Sequence, residues 1–306
     1  MGSSARRSVN LEAAVAYAER HALHALFVQQ GRHVLLIRYG GGYDARRAHA
    51  LYSGTKSFWG PLAVAAQDDG LLEIDEPVAR TVPAWAEDPL KARVTLRELL
   101  QLTSGIGFGG LGALVPTFER ALATRLKDEP GTRFTYGGIP LQVFGAVLSR
   151  KLAERGVSPQ AYLRERILDP IGLQVDSWRT LEDGTQPLPT GAFVTAREWM
   201  KFGRFICDGG MWQGASVVAA SSLARCFQGS LPNPRYGLGW WLSPLPDVPD
   251  LVYASGSGGQ ALYVVPSLDT VIVKFGKSAS YKHETFLRHL LLPKRAEPGA
   301  KRSKPA

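Results

Sequence analysis

The sequence has few of the residues that mark a redox, metal-dependent or exported protein. Cys207 and Cys226 are the only cysteines among 306 residues, and two thiols at that separation match no zinc or redox spacing. The six histidines include no pair at ligand spacing beside a carboxylate cluster. No uncharged apolar run reaches eighteen residues, and the first twenty residues lack the apolar core of a signal peptide. We therefore predict no metal, no cofactor, no integral membrane segment and a cytoplasmic location, with a leader removed beforehand as the alternative.

The net charge of +9 is the one compositional feature that would suit a nucleic-acid-binding protein. Seven basic residues and one glutamate lie within 1–10 and 293–306, so the termini account for six of those charges. The rest of the chain shows no zinc-finger spacing, RNA-binding aromatic signature or basic helical stripe. We predict no nucleic-acid partner and a disordered basic tail over 293–306.

Segments with the apolar, β-branched composition of strands lie near both chain ends: 25–29, 33–39, 236–242, 259–265 and 270–275. Helices are predicted before the first of them, over 10–22, and after the last, over 283–290. The middle of the chain, 57–230, is predicted to form helices joined by Gly- and Pro-rich loops. This order predicts an α+β fold in which 1–56 and 231–292 build one antiparallel sheet flanked by terminal helices. The middle is then a large, mostly helical insertion.

Ser53 and Lys56 are the first candidate catalytic pair. They bracket an S-G-T-K stretch at the start of a predicted helix, where side chains three apart are neighbours with β-carbons about 5–6 Å apart. Unpaired N–H groups at a helix start favour the negative charge that forms when a serine attacks a carbonyl. Three aromatic residues flank the pair: Tyr52, Phe58 and Trp59. They would exclude water from Lys56 and lower its pKa. A helix cap with a solvated lysine is the alternative.

Two later segments complete the pattern. Tyr136 follows a Pro-Gly-Thr-Arg-Phe turn at 130–134, and a Gly-Ser-Gly-Gly-Gln stretch at 256–260 enters a predicted strand. Taken alone, Tyr136 would be interpreted as a packing residue, as most tyrosines are. Together with the S-x-x-K stretch, and in this order, these segments resemble the serine β-lactamase and penicillin-binding-protein superfamily. The similarity is to its class C-like branch of esterases, D,D-peptidases and aminohexanoate-oligomer hydrolases, and it spans nearly the whole chain.

This resemblance implies a β-lactamase-like fold with its site in the crevice between the sheet and the helical insertion. Ser53 would be the nucleophile, Lys56 the base that takes its proton, and Tyr136 the group that passes this proton to the leaving group. Lysine ordinarily has a pKa near 10.4 and tyrosine one near 10, so the pKa of one of them must fall by about three for that group to act as a base at neutral pH. Burial favours the neutral form of Lys56, which is therefore assigned as the base. The oxyanion would rest on the N–H of Ser53 and of the 256–258 strand, that is Gly256, Ser257 or Gly258, with Ser257 preferred.

Two departures from the family pattern restrict the substrate. The asparagine that usually stands two residues after the tyrosine, and would hold a substrate amide, is Gly138 here. The lysine or histidine of the third motif is also missing, because the matching stretch 254–257 reads Ala-Ser-Gly-Ser. Both changes disfavour β-lactams and peptidoglycan peptides. The Gly-rich segment 106–112 is predicted to be a mobile loop covering a pocket, or else an ordinary surface loop.

These residues lead to a principal hypothesis: a serine hydrolase that acts on a small-molecule ester or simple amide through an acyl-enzyme on Ser53. An acyltransferase of the same superfamily is the second enzyme hypothesis. The third is a catalytically inactive binding or scaffold protein with this fold, which the two altered motifs favour and the joint presence of Ser53, Lys56 and Tyr136 opposes.

Overall fold

The structure is a computed structural model that describes residues 9–292. Its helices are α1 (Leu11–Arg20), α2 (Trp59–Asp68), α3 (Leu96–Leu100), α4 (Phe118–Leu122), α5 (Ile139–Lys151), α6 (Pro159–Leu163), α7 (Ala196–Cys207), α8 (Ala220–Ala224) and α9 (His283–Leu291). Its strands are β1 (Leu23–Gln30), β2 (His33–Tyr39), β3 (His49–Ala50), β4 (Ser177–Trp178), β5 (Ala192–Val194), β6 (Met211–Trp212), β7 (Ala215–Ser216), β8 (Trp241–Leu242), β9 (Val252–Gly256), β10 (Gln260–Val265) and β11 (Thr270–Gly276).

One six-stranded sheet joins the two ends of the chain. Its strand order is β2-β1-β11-β10-β9-β8, and every paired neighbour is antiparallel. The pairing of β1 with β11, in which Phe27 lies opposite Val273, brings the N-terminal hairpin beside the last strand. The predicted α+β fold, with a sheet assembled from both chain ends, is therefore confirmed.

The sheet is covered on both faces, which explains why β10 and β11 are apolar almost throughout and fully buried. The terminal helices α1 and α9 pack on one face, around Tyr17, Leu26 and Phe286. Asn10 caps α1 as its sequence predicts, since its side chain accepts a hydrogen bond from Ala13 N–H. Helix α7 lies against β10 and β11 on the other face, where the larger core continues into the middle of the chain.

The predicted helix at Ser53 begins differently from expectation. Tyr52–Phe58 forms a 3₁₀ helix that leads directly into α2, and Ser53 makes no capping hydrogen bond. Pro61 is accommodated because it lies in the first turn of α2, where few backbone N–H groups have partners. The carbonyl four residues before it, that of Ser57, accepts a hydrogen bond from the Trp240 indole instead, at 3.0 Å.

The strand prediction for 236–242 is wrong over most of its length. Only Trp241–Leu242 is a strand, because Gly239 has a positive φ of 78° and donates its N–H to Leu100 O rather than to a neighbouring strand. Strand β9 was missed, since its Val-Tyr-Ala-Ser-Gly sequence is short and rich in small residues.

The division of the chain at residues 56 and 231 stays a prediction. The largest apolar core contains side chains from both parts, among them Phe27 of β1, Leu62 of α2 and Val273 of β11. The basic tail predicted over 293–306 lies outside the described residues. Within 9–292, no helix is both long and apolar enough to cross a bilayer.

Candidate active site

The chain reaches Ser53 through a constrained turn. After β3, Leu51 N–H donates to Ala192 O at 2.9 Å, which ties the approach to β5. Tyr52 then adopts a positive φ of 48°, a backbone conformation that few residues other than glycine adopt without strain. Backbone strain of this kind persists where the surrounding structure enforces it, and it occurs often at functional sites. Here it turns the half-buried Ser53 into the first turn of the 3₁₀ helix.

Lys56 is buried and faces the Ser53 hydroxyl. Only 1% of its surface is exposed, and its Nζ lies 2.9 Å from Ser53 Oγ and 3.2 Å from Pro189 O. Burial lowers the pKa of Lys56 to about 7, because the charged form loses its hydration. Near neutral pH a substantial fraction of this amine is thus uncharged, and its lone pair can accept the Ser53 proton.

The flanking aromatic residues behave differently from one another. Phe58 and Trp59 are fully buried, as the sequence suggested. Tyr52 is 44% exposed, and its contribution to the exclusion of water from Lys56 stays a prediction.

Tyr136 lies beside the first two groups. The centroid of its ring is 5.0 Å from Lys56 Nζ. Burial raises the pKa of Tyr136, and hydrogen bonding with the Ser53 hydroxyl opposes this only partly. The phenol is therefore protonated at neutral pH and suited to donating a proton. The ring stacks on Trp241 at 5.8 Å and meets Tyr236 edge to face at 6.3 Å, and these contacts hold it in place.

The Gly-rich segment 106–112 lies directly against the tyrosine motif. Gly138 N–H donates to Gly109 O at 2.9 Å. A β-carbon on Gly138 would stand only 1.9 Å from Gly110 O, so no side chain fits there. The loop backbone occupies the space next to Tyr136 into which an asparagine at position 138 would extend. Phe108, near the start of the segment, is 72% exposed.

The segment predicted to stabilise the oxyanion begins at the end of β9, which passes close to the main chain just before Ser53. A β-carbon on Gly256, at the end of β9, would lie 2.1 Å from Leu51 O, so only glycine permits this approach. Ser257 is exposed in the turn that follows, and Gly258 there has a positive φ of 78°. The buried Gln260 side chain fastens this turn, since its Nε2 donates to Ser257 O at 2.8 Å and to Gly276 O at 2.6 Å.

No cation replaces the one missing from the third motif on this strand. Ser255 Oγ is hydrogen-bonded to Nε2 of His283, at 2.9 Å, and Tyr263 OH lies 2.7 Å from the other ring nitrogen. Burial lowers the pKa of His283 to about 4, so this imidazole is neutral at physiological pH. It therefore supplies hydrogen bonds to the strand but no positive charge.

One group of potential metal ligands occurs among residues 9–292, at Cys207, Asp208 and Asp269. The Arg204 guanidinium forms ion pairs with both carboxylates. The Arg204 side chain thus already supplies a cation there. The group lies at the C-terminal end of α7, whereas Gly54, next to Ser53, lies against Trp199 in the first turn of that helix.

Pro189 is the contact of Lys56 that the sequence did not indicate. It stands 133 positions after the lysine, in a loop without a recognisable motif. Pro189 contributes a main-chain carbonyl, a group that every residue carries. Only the folded structure therefore shows which carbonyl contacts Lys56. The sequence likewise did not indicate that Trp241, a residue of β8, would stack on Tyr136.

Comparisons with known proteins agree with this fold. The beta-lactamase family model matches residues 15–291, and the chain therefore belongs to the beta-lactamase family of hydrolases. It is 24% identical over 287 residues to a 6-aminohexanoate-dimer hydrolase of Paenarthrobacter ureafaciens, covering 84% of this chain and 73% of the relative. A putative 6-aminohexanoate-dimer hydrolase from Bacillus anthracis superposes with a TM-score of 0.76 at 18% identity, over 89% of this chain and 78% of that one.

An acyltransferase also lies among the relatives. The monacolin J acid methylbutanoyltransferase of Aspergillus terreus is 25% identical over 210 residues, which cover 58% of this chain and 48% of the relative. The relatives of this chain thus include proteins named for hydrolysis and proteins named for acyl transfer.

Proposed function

We propose that the protein is a serine hydrolase that cleaves a small ester or simple amide through an acyl-enzyme on Ser53. The observation that carries this proposal is the 2.9 Å separation between Ser53 Oγ and the amine of Lys56, whose burial lowers its pKa to about 7. A neutral amine at hydrogen-bond distance from a hydroxyl is the arrangement that general-base activation of a serine requires.

The steps follow from these positions. Lys56 Nζ takes the hydroxyl proton while Ser53 Oγ bonds to the substrate carbonyl carbon, whose oxygen becomes an oxyanion. Backbone N–H groups of Ser53 and Ser257 would stabilise this charge. Tyr136 donates its proton to the leaving oxygen or nitrogen and is reprotonated from Lys56, and the bond to the leaving group breaks. Water then attacks the acyl-enzyme by the same proton path in reverse.

Two features support small substrates. The loop backbone beside Gly138 fills the space of a side-chain amide that would hold an acylamino group. The third motif carries neither lysine nor histidine, and the nearby His283 is neutral. Lys274 Nζ lies against Gly259, but this lysine belongs to β11 and is fully buried, so a substrate carboxylate finds no exposed cation on that strand. We therefore favour short acyl groups without a carboxylate over β-lactams.

The test is pre-steady-state hydrolysis of p-nitrophenyl acetate and butyrate, combined with mass spectrometry of the intact protein. We expect a burst of p-nitrophenol equal to the enzyme concentration and an acyl adduct on Ser53. Ser53→Ala should abolish both. Turnover that is unchanged in Ser53→Ala, or no adduct with any ester, amide or β-lactam in a screen, would refute the proposal and favour an inactive binding protein.

Acyl transfer to an acceptor other than water is the second candidate, which the Aspergillus terreus relative favours. Both activities share the acyl-enzyme and differ only in the group that attacks it. Product analysis with added alcohols or amines separates them: a transferase gives the new ester or amide in preference to the free acid.

A further inference from the structure

Leu188 is held at both of its main-chain polar groups by buried side chains from two helices. Its N–H donates to Gln142 Oε1 of α5 at 2.9 Å, and its carbonyl accepts from Trp59 Nε1 of α2 at 2.6 Å. Leu188, Gln142 and Trp59 are each 0% exposed. Hydrogen bonds between buried partners have no competition from water, so this clamp, consisting of Gln142, Leu188 and Trp59, fixes the peptide firmly.

Gln142 is an unusual residue for its position. It lies in a helix whose other buried side chains, such as Leu141 and Val143, are apolar. Burying an amide is costly unless each of its polar atoms finds a partner. Gln142 meets this condition, since its Nε2 donates to Pro116 O at 2.6 Å while its Oε1 accepts from Leu188. An apolar residue would fill the same space without needing these partners.

The residue after the clamp is the one that contacts Lys56. Pro189 has no N–H of its own, so the hydrogen bonds of Leu188 are the last main-chain anchors before its carbonyl. That carbonyl lies 3.2 Å from Lys56 Nζ, and Ser53 Oγ lies 2.9 Å from the same nitrogen. A neutral amine has two N–H groups and one lone pair. When one N–H stays on Pro189 O, rotation about the Cε–Nζ bond is restricted and the lone pair can remain directed at Ser53.

We propose that Gln142 and Trp59 are positioning residues: they hold Leu188 so that the Pro189 carbonyl orients the amine of Lys56 toward Ser53. This rests on the proposed role of Lys56 as base. The carbonyl also stabilises the ammonium form, since a hydrogen bond to the charged state favours that state. Removing the clamp therefore has two effects. The amine is misoriented, and its pKa falls below that of the wild type.

The test compares Gln142→Met and Trp59→Phe with the wild type. Methionine fills a similar volume without either hydrogen bond, and phenylalanine keeps a ring but no indole N–H. In both variants we expect the maximal rate of Ser53 acylation to fall roughly 10- to 100-fold, and the midpoint of its pH–rate profile to move to lower pH. Trp85→Phe is the matched control, because it removes a buried indole hydrogen bond of 3.1 Å, to Leu122 O, in another part of the helical region.

A second readout does not depend on turnover. In protein labelled with ¹³C-lysine, the Cε chemical shift of Lys56 reports its titration, with the signal assigned from Lys56→Met. The same downward shift in both clamp variants, absent in Trp85→Phe, supports the inference even if no ester is cleaved. A midpoint that stays unchanged or rises in the clamp variants, with only the melting temperature reduced, would contradict it and leave Gln142 as a core residue.

Discussion

Two lysines of this protein are buried in very similar surroundings, yet only one faces the Ser53 hydroxyl. Lys56 is 1% exposed and Lys274, in β11, is 0% exposed. Burial lowers the pKa of each to about 7. Each amine also faces a tyrosine ring, since Lys56 Nζ is 5.0 Å from the centroid of Tyr136 and Lys274 Nζ is 4.0 Å from that of Tyr281.

The two amines differ in their hydrogen-bond partners. Lys56 Nζ has two oxygen atoms within reach, Ser53 Oγ and Pro189 O. Lys274 Nζ has no hydrogen-bond partner among the described residues, and it lies so close to Gly276 that a β-carbon there would stand 2.6 Å away. A lowered pKa therefore marks burial, and it does not distinguish a catalytic base. What distinguishes Lys56 is a hydroxyl placed to give up its proton.

The largest expected effect is a difference in acylation rate between variants of the two lysines. Lys56→Met removes the proposed base, so we expect the rate of Ser53 acylation to fall about 10²- to 10⁴-fold. The rise of the rate with pH through about 7, where the wild-type amine loses its proton, should disappear as well. Lys274→Met should keep both the rate and this rise. Burst kinetics from pH 5 to 10 measure them, and an equal loss in both variants would remove the distinction.

Tyr136 and Tyr281, whose rings face Lys56 and Lys274, allow a second comparison of the same two places. Tyr136→Phe deletes the hydroxyl that would pass the proton to the leaving group, and acylation should slow roughly 10²-fold. The effect should be strongest with poor leaving groups, which need the proton most. Tyr281→Phe removes a hydroxyl that lies 2.9 Å from Tyr263 OH. It should cost about 1 kcal/mol of stability and leave acylation unchanged. Rates with phenyl and ethyl esters and thermal melts test this pair, and normal acylation of ethyl esters by Tyr136→Phe would contradict the role of Tyr136.

The smallest effect concerns stability and its dependence on pH. Between pH 7 and 10.5 the unfolded chain carries a proton on Lys274 that the folded chain does not, so this residue makes stability increase with pH over that range. The penalty for burying the charge is complete below about pH 7. Lys274→Met should thus stabilise the fold by about 1–4 kcal/mol at pH 6, with a gain that shrinks toward pH 10. Urea unfolding at pH 6, 8 and 9.5 measures it, and a loss of stability at pH 6 would show that the amine has a stabilising partner.

The elements that the sequence predicted well are those with a strong local pattern. Strands β1, β2, β10 and β11 are long, apolar runs, and their reading as a sheet joined to terminal helices follows from composition and spacing. Strand β9 and the irregular stretch before β8 depend on close backbone packing instead. Gly256 ends β9 where it passes close to Leu51 O, and the N–H of Gly239 is bonded to Leu100 O rather than to a neighbouring strand.

At the candidate site too, some residues could be predicted from local sequence and others depend on tertiary packing. Ser53 and Lys56 are three residues apart, so local geometry already brings them together, and Tyr136 was recognisable from the motif around it. Leu188, Pro189 and Gln142 belong to no motif. They contribute main-chain groups or a single amide whose position depends on how α2, α5 and the 187–191 loop pack.

The sequence by itself determined the family, the long strands and terminal helices that build the main sheet, and the serine and lysine that face each other, because each of these is encoded in short-range pattern or spacing. The tertiary structure alone decided that Lys274 is buried as deeply as Lys56, and which carbonyl contacts the amine of Lys56. The physical reason is that burial and hydrogen-bond direction depend on atoms brought together from positions more than a hundred residues apart, and no local pattern records those contacts.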